Sequence, residues 1–248
     1  MSAAVRPRLG TITLTLHMPP NSDADESLQI QERYRRRTTV YDPFDPWVYL
    51  TRQELERSII RQIKRASLDA TTQLRVLDIG CGSGGHLLGF LRLGFLPENL
   101  VGCELQGERI KTARSVLPAA VRLIHSAAQD ADVEAASFDI VFQSLVFSSI
   151  LSDEVRASVA ASMWRAARPG GGVLWYDFTV DNPKNPDVRG VPLDEVRRLF
   201  PAAPVVARKV TLAPPLSRRA TRIHPVLYGV LNLLPVLRTH VLAWAPKS

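Results

Sequence analysis

Cysteine is scarce in this sequence: of 248 residues only Cys81 and Cys103 carry a thiol, with no paired spacing. That argues against a disulfide framework or a zinc site, no metal is expected, and a reducing, cytoplasmic setting is the natural one. Long apolar runs are missing too. The stretch from Met1 to Asp23 holds arginines and a short alternating apolar pattern, not the continuous run of a secretory signal. The longest late run, Pro225 to Leu237, is interrupted by Gly229, Asn232 and Pro235 and is too short to span a bilayer, so no transmembrane helix is expected. Acidic residues end at Glu195, after which nine lysines and arginines follow without a counter-charge. The formal net charge of +7 is therefore concentrated in the C-terminal third. An anionic lipid surface, a phosphorylated acceptor or a nucleic acid would match such a field, while a solvated face is the plainer reading. No zinc-finger or RNP-type pattern accompanies it, so nucleic acid is not expected and peripheral membrane contact stays open.

What is present fits one large α/β domain. Apolar residues make up 46% of the chain, enough for a continuous core. Residues 1–50 read as an N-terminal segment, poorly ordered over roughly its first twenty residues and ending near the basic cluster Arg33 to Arg37; it is a candidate cover for the site. Residues 51–248 read as the folded domain. Thr51 with Glu54 forms a capping pattern ahead of the stripe Leu55, Ile59, Ile60 and Ile63. Short apolar runs follow at 74–79, 99–104, 121–125, 138–143 and 173–178, separated by helical stretches, as in a doubly wound, mostly parallel sheet with helices on both faces. Helices are expected from Gly85 to Leu93, from Glu108 to Leu117, and from the cap Ser152 to Arg168, ended by Pro169 and three glycines. A short helix at 193–199 and closing strands at 204–212 and 239–245 complete a seven-stranded sheet.

The chemistry-bearing segment is Val76 to Gly85, a buried strand running into a glycine-rich turn and a helix. Gly80, Gly82 and Gly85 satisfy G-x-G-x-x-G, the dinucleotide fingerprint, in which glycines let the backbone approach a pyrophosphate. Asp78 argues against that ligand. A carboxylate two residues before the first glycine would repel a pyrophosphate and attract an ammonium group, so the ligand should carry positive charge.

Asp78, Gly80, Gly82 and Gly84 resemble motif I of the class I methyltransferases, whose methyl donor is S-adenosylmethionine. The resemblance covers about residues 70–178 and implies a Rossmann-like sheet of seven strands with a reversed last strand. It assigns donor binding to Asp78, Gly80, Cys81, Gly82 and Gly84. Glu104, about 20 residues after the loop, stands where the family's acidic residue accepts both ribose hydroxyls, with Leu105 against adenine. The loop at Ser126 to Gln129 would frame the adenine ring through Ala127 and Ala128; many relatives carry an acidic residue where this chain has Ala127, which leaves Ala128, Gln129 or Asp130 for the amino group. Gln143 ends the strand that in the family leads to the transfer site. Tyr34 and Arg35 would fold over the donor, with Arg35 reaching its carboxylate. Both cysteines read as small packing residues.

On the acceptor side, strand ends and the loops after them supply Phe147, Ser148 and Ser149, then Trp175, Tyr176, Asp177 and Phe178. A hydroxyl acceptor needs a general base. Asp177 is the first candidate and His240 the second, with His224 and Asp153 behind them. Asp181 to Gly190 is long, polar and proline-stiffened, as suits an acceptor loop. The run from Trp175 to Phe178 through this loop, with Thr211 to Leu216 and Leu237 to His240, resembles a bacterial subgroup linked to polysaccharide or natural-product clusters, which implies a small-molecule or glycan hydroxyl that the basic third would suit if lipid-linked. Methylation of a lipid or quinone, a catalytically inactive cofactor-binding subunit, and a nicotinamide oxidoreductase are the alternatives. The oligomeric state is not legible.

Overall fold

The computed structural model describes residues 22–36, 41–183 and 185–248. The expected disorder of the first twenty residues, Arg37 of the basic cluster and Lys184 of the acceptor loop lie outside them. Two helices, α1 (Ser22–Arg35) and α2 (Pro46–Arg65), precede an alternating series: β1 (Val76–Ile79), α3 (Gly85–Arg92), β2 (Leu100–Glu104), α4 (Gly107–Val116), β3 (Arg122–His125), β4 (Phe138–Ser144), α5 (Asp153–Ala166), β5 (Ala167–Phe178) and α6 (Leu193–Leu199). The chain closes with β6 (Val206–Leu212), α7 (Pro214–Ile223), α8 (Val226–Asn232) and β7 (Arg238–Pro246). The seven strands form one sheet in the order β3-β2-β1-β4-β5-β7-β6. The β1, β2, β3, β4 and β5 pairs are parallel, whereas β7 runs antiparallel to both β5 and β6. The expected doubly wound sheet with a reversed last strand is therefore present.

Alternation along the strands sorts side chains onto two faces. Leu77, Ile79, Val141, Val173, Trp175, Val241 and Ala243 pack with Val155, Val159 and Met163 of α5. Val76, Leu100, Ile140, Phe142, Leu174, Tyr176, Leu242 and Trp244 pack with Leu55, Ile59 and Ile63 of α2 and Leu87 and Phe90 of α3. Complete burial of Phe138, Phe142, Phe147 and Trp175 stabilises the fold by about 2–3 kcal/mol for each ring.

Several boundaries differ from the expectation for identifiable reasons. The helix α2 starts before Thr51, because Asp45 and Pro46 supply an N-cap position and a proline at N1, where a missing N–H costs nothing. Glu54, read as half of a capping box, is buried and bonds Thr211 N and Tyr228 OH. Ser152 does cap α5, accepting from Val155 N at 3.2 Å. Arg168 to Gly172 is strand, not a helix-ending turn: β5 begins at Ala167, and its register against β4 shifts between Phe138 and Ile140. The glycines there permit close approach, since a Cβ on Gly171 would lie 2.5 Å from the Asp139 carbonyl. Helices α7 and α8, between β6 and β7, were not anticipated; their arginine-rich and broken apolar pattern hid them.

Arg156 ties the acceptor-side loops together. It is fully buried and donates to Ile150 O (2.8 Å), Glu195 Oε1 (2.6 Å) and Arg189 O (3.2 Å), joining α5 to α6 and to the loop after β5. Replacing it by Met keeps the stem and strands these acceptors. Arg156→Met should lower the unfolding free energy by about 3 kcal/mol, measured by urea denaturation; a loss well below 1 kcal/mol would show that the network contributes little.

Candidate active site

A cavity of about 740 Å³ opens where β1, β2 and β4 end and β7 begins. One wall is the glycine turn (Gly80, Cys81, Gly82), Glu104 to Gln106, and the Ser126 to Gln129 loop. The other is built from Ser148, Ser149, Phe178, Asp181 to Pro183, Asn185, Pro214, Pro215, Arg218, Thr239 and His240. Helix α1 lies across it through Ser27, Ile30 and Tyr34.

The turn is fixed by backbone bonds and by glycine conformations. Gly80 N and Cys81 N donate to Cys103 O at 2.8 and 3.0 Å, and Gly80, Gly82 and Gly84 all have positive φ. A Cβ on Gly84 would fall 2.8 Å from Leu117 Cδ1. Gly84 is thus a packing and backbone glycine, off the cavity wall, whereas Gly82 faces the cavity. Glu104 Oε2 accepts from Gly82 N and Oε1 from Gln106 N, both at 2.9 Å. Each oxygen retains a lone pair for a further donor, as a ribose diol requires.

Asp78 sits beneath this turn, 1% exposed, and neither carboxylate oxygen has a partner among the described residues. Burial first, and then the charge of Glu104, hold its carboxyl well above the usual range. The same influences, burial above all, push the Cys81 thiol up, and burial with Glu104 pushes Cys103 to about 12, so both cysteines are inert packing groups of the wall. Two carboxylates that repel each other, one of them unpartnered, call for a cation. A dinucleotide pyrophosphate would add a third negative group. Asp78 is not on the cavity wall, so its influence on a bound ammonium acts from behind the loop.

Leu105, Ala127, Ala128 and Gln129 all line the cavity. Ser126 and Gln129 are the polar side chains of that loop on the wall, and the buried amide nitrogen of Gln129 lacks a partner among the described residues. Gln143 is corrected. It is fully buried, donates to Tyr176 O and accepts from Val146 N, so it shapes the turn after β4 without reaching the cavity.

Asp177 is also corrected as a base. Its parity in β5 puts it on the α5 face, away from the cavity wall, where Oδ2 accepts from Ser148 N (3.1 Å) and Oδ1 from Phe178 N (2.9 Å). Burial raises its carboxyl to about 7 despite these bonds. His240, opposite Phe178 in the β5–β7 register, points to the other face and lines the cavity. Its ring stacks on Tyr176 (centroids 5.1 Å, 13°), and its Nδ1 lies 3.1 Å from Thr239 Oγ1, which leaves Nε2 for the cavity. Burial lowers its imidazole to about 4, so it is neutral at physiological pH. The trailing candidates fall away: Asp153 pairs with Arg189 on the surface, and His224 is exposed. Phe147 and Trp175 are core; Ser148, Ser149 and Phe178 are wall.

Upstream, Tyr34 does cover the cavity, its hydroxyl 3.1 Å from Ser149 Oγ and its ring under the Arg109 guanidinium. Arg35 does not; it is exposed and pairs with Glu32. Neighbouring Arg33 does the anchoring: it bonds Glu26 (2.8 Å) and Ser149 O (2.9 Å), while Glu26 accepts from Leu151 N (2.8 Å). The sequence reading also missed His86, a cavity residue edge-on to Phe142 whose imidazole burial lowers to about 4. Its only signal was a histidine one residue past the glycine loop.

Residues 76–171 match the family described as a methyltransferase domain. No curated protein sequence matches the chain. Among solved structures, a SAM-dependent methyltransferase from Archaeoglobus fulgidus aligns at 14% identity and a TM-score of 0.56, covering 77% of this chain and 94% of that one. An S-adenosylmethionine-dependent methyltransferase from Mesorhizobium loti aligns at 16% and 0.54, covering 74% and 96%. The cyclase SpnF aligns at 15% and 0.54, covering 79% and 82%. Residues 76–171 are thus similar to a methyltransferase domain, and the strand order is the fold shared with these S-adenosylmethionine-dependent methyltransferases.

Proposed function

We propose that this methyltransferase takes its methyl group from S-adenosylmethionine and delivers it to a hydroxyl of a small-molecule or glycan acceptor. The observation that carries the donor reading is the unpartnered Asp78 behind a turn whose Gly82 amide is held by Glu104. The donor supplies a methyl group on a sulfonium, activated for in-line displacement. The protein's task is alignment and exclusion of water. Gly80 to Gly82 would hold the amino-acid end, with the charge of Asp78 acting from behind the turn, Glu104 would hold the ribose, and Leu105 with the Ser126 to Gln129 loop the base. Tyr34, Ile30 and Ser27 close the site from above.

The O-acceptor reading rests on His240. A neutral imidazole facing the cavity, oriented by Thr239 and by stacking on Tyr176, is poised to accept a hydroxyl proton as the oxygen attacks. The Asp181 to Asn185 segment would meet the rest of the acceptor. Incubating the protein with isotopically labelled donor and host extract, then identifying the labelled product by mass spectrometry, tests the acceptor class; a product labelled only on nitrogen or carbon would overturn it.

Two further outcomes follow from the electrostatics. Asp78→Asn should weaken donor binding by about tenfold in calorimetry, since the negative charge behind the turn is lost. Without ligand the same variant should melt above the wild type, and by more at alkaline than at mildly acidic pH. The sign follows from the raised carboxyl: the folded state binds a proton that the unfolded chain has already released, so wild-type stability falls as pH rises through that interval. An unchanged donor affinity would remove the basis of the donor reading.

His240→Asn should lower kcat by about 10²–10⁴-fold while donor affinity holds. In the wild type, kcat/KM should stay level across neutral pH and fall only toward about pH 4, as His240 gains a proton. An acid limb near pH 7 would instead report Asp177.

A further inference from the structure

The geometry points to a docking surface for an anionic lipid bilayer on the α7–α8 hairpin, beside the cavity mouth. The hairpin inserts between β6 and β7 and turns apolar side chains outward: Ile223, Leu233 and Val236 are 77%, 74% and 81% exposed, with Val226, Val230 and Leu234 more than half exposed. A soluble monomer rarely leaves so many large apolar side chains uncovered along one short stretch of chain. Helix α7 spends its buried face, Ser217, Ala220 and Thr221, on its neighbours and leaves Arg218, Arg219 and Arg222 in solvent.

Charge selects the occupant. Glu195 is the last acidic residue of the chain, so nothing in the hairpin offsets these arginines. Among the described residues Arg218, Arg219, Arg222, Arg208 and Arg238 have no carboxylate within ion-pair distance. Burial first, and then the like charges of Arg65, Arg61 and Arg238, hold Arg208 below the usual guanidinium range. Arg238 in turn bonds the carbonyl of Asn232, which attaches this cluster to the end of α8. A second copy of the chain is a poor fit, because a two-fold contact through this face would set arginine against arginine. Apolar side chains flanked by uncompensated arginines match acyl chains beneath anionic headgroups.

Position ties the surface to the site. Pro214, Pro215 and Arg218 of α7 line the cavity, and Arg218 lies over Trp47, which packs on the cavity residue Tyr41. A surface-bound enzyme would therefore open toward the lipid, and the acceptor is of a matching class: a hydroxyl on an amphiphile whose apolar part stays in the bilayer. This last step rests on the methyl-transfer reading; the docking itself does not.

The test uses the full chain in flotation with vesicles of phosphatidylcholine, with and without phosphatidylglycerol, at low and high salt, alongside donor calorimetry. Binding should require the anionic lipid and weaken with salt. Arg219→Gln with Arg222→Gln should reduce the vesicle partition roughly thirtyfold, and Leu233→Ser with Val236→Ser should also reduce it, all with donor affinity unchanged. No flotation by a protein that still binds donor overturns the docking and leaves methyl transfer standing. Equal binding to neutral vesicles overturns the charge argument. Self-association abolished by Leu233→Ser with Val236→Ser, seen by sedimentation without vesicles, would assign the face to a second copy.

Discussion

Two carboxylates that cannot both be comfortable organise this molecule. Asp78 and Glu104 end neighbouring strands of the sheet, one sealed beneath the glycine turn and the other gripping the turn's own amide. Natural proteins seldom bury an ionisable group without a partner, because desolvation is costly. The fold accepts that cost at Asp78, and under the proposed donor reading positive charge would offset it. The glycines are consequences of this arrangement: the turn must be tight enough for Glu104 to reach Gly82, and its left-handed conformations would strain any other residue. The site is therefore selective through electrostatics that exist before any ligand does.

Strand alternation makes the second decision. Asp177 and His240 are near neighbours across the β5–β7 pairing, yet one residue of register sends them to opposite faces. On the α5 face Asp177 becomes a brace for the loop that carries Ser148. On the other face His240 meets the cavity, stacked on a tyrosine whose hydroxyl is 2.9 Å from Thr211 Oγ1, beside the Glu54 and Tyr228 pair. Among neighbours sharing this fold is a cyclase, so the sheet does not dictate the reaction. The reacting groups on its rim do.

Much of this was legible beforehand because local chemistry and global fold agree. The parallel strands announce themselves as continuous apolar runs, and the glycine-turn wall of the cavity follows from Gly80, Gly82 and Glu104 at fixed spacing, with Asp78 behind it. What stayed hidden depends on distant partners. Gln143 looks like a polar residue presented at a strand end, but its amide is consumed by Tyr176 and Val146. Arg35 and Arg33 are indistinguishable in a run of arginines; only the helix turn reveals that Arg33 faces Glu26 and Ser149. The order of preference between Asp177 and His240 inverted for the same reason, since facing depends on register and register on pairing. Helices α7 and α8 escaped notice because α7 turns arginines outward over a small-residue buried face and α8 turns valines outward, so neither shows an apolar stripe facing the core.

The position of β7 carries a consequence for biogenesis. Among the described strands the last in chain order is not an edge strand: β7 slots between β5 and β6, both of which precede it in the chain. Until it emerges, β5 with Trp175 presents an unpaired hydrogen-bonding border, and β6 has no neighbour at all. Translation of the segment from Phe178 to Pro246 takes several seconds to about ten at ordinary rates. Throughout that interval the nascent sheet is an open template for other strands, so chaperone demand should be set by this terminal insertion, and a ribosome stalled before Arg238 would release a chain with a donor wall but a gap in its sheet.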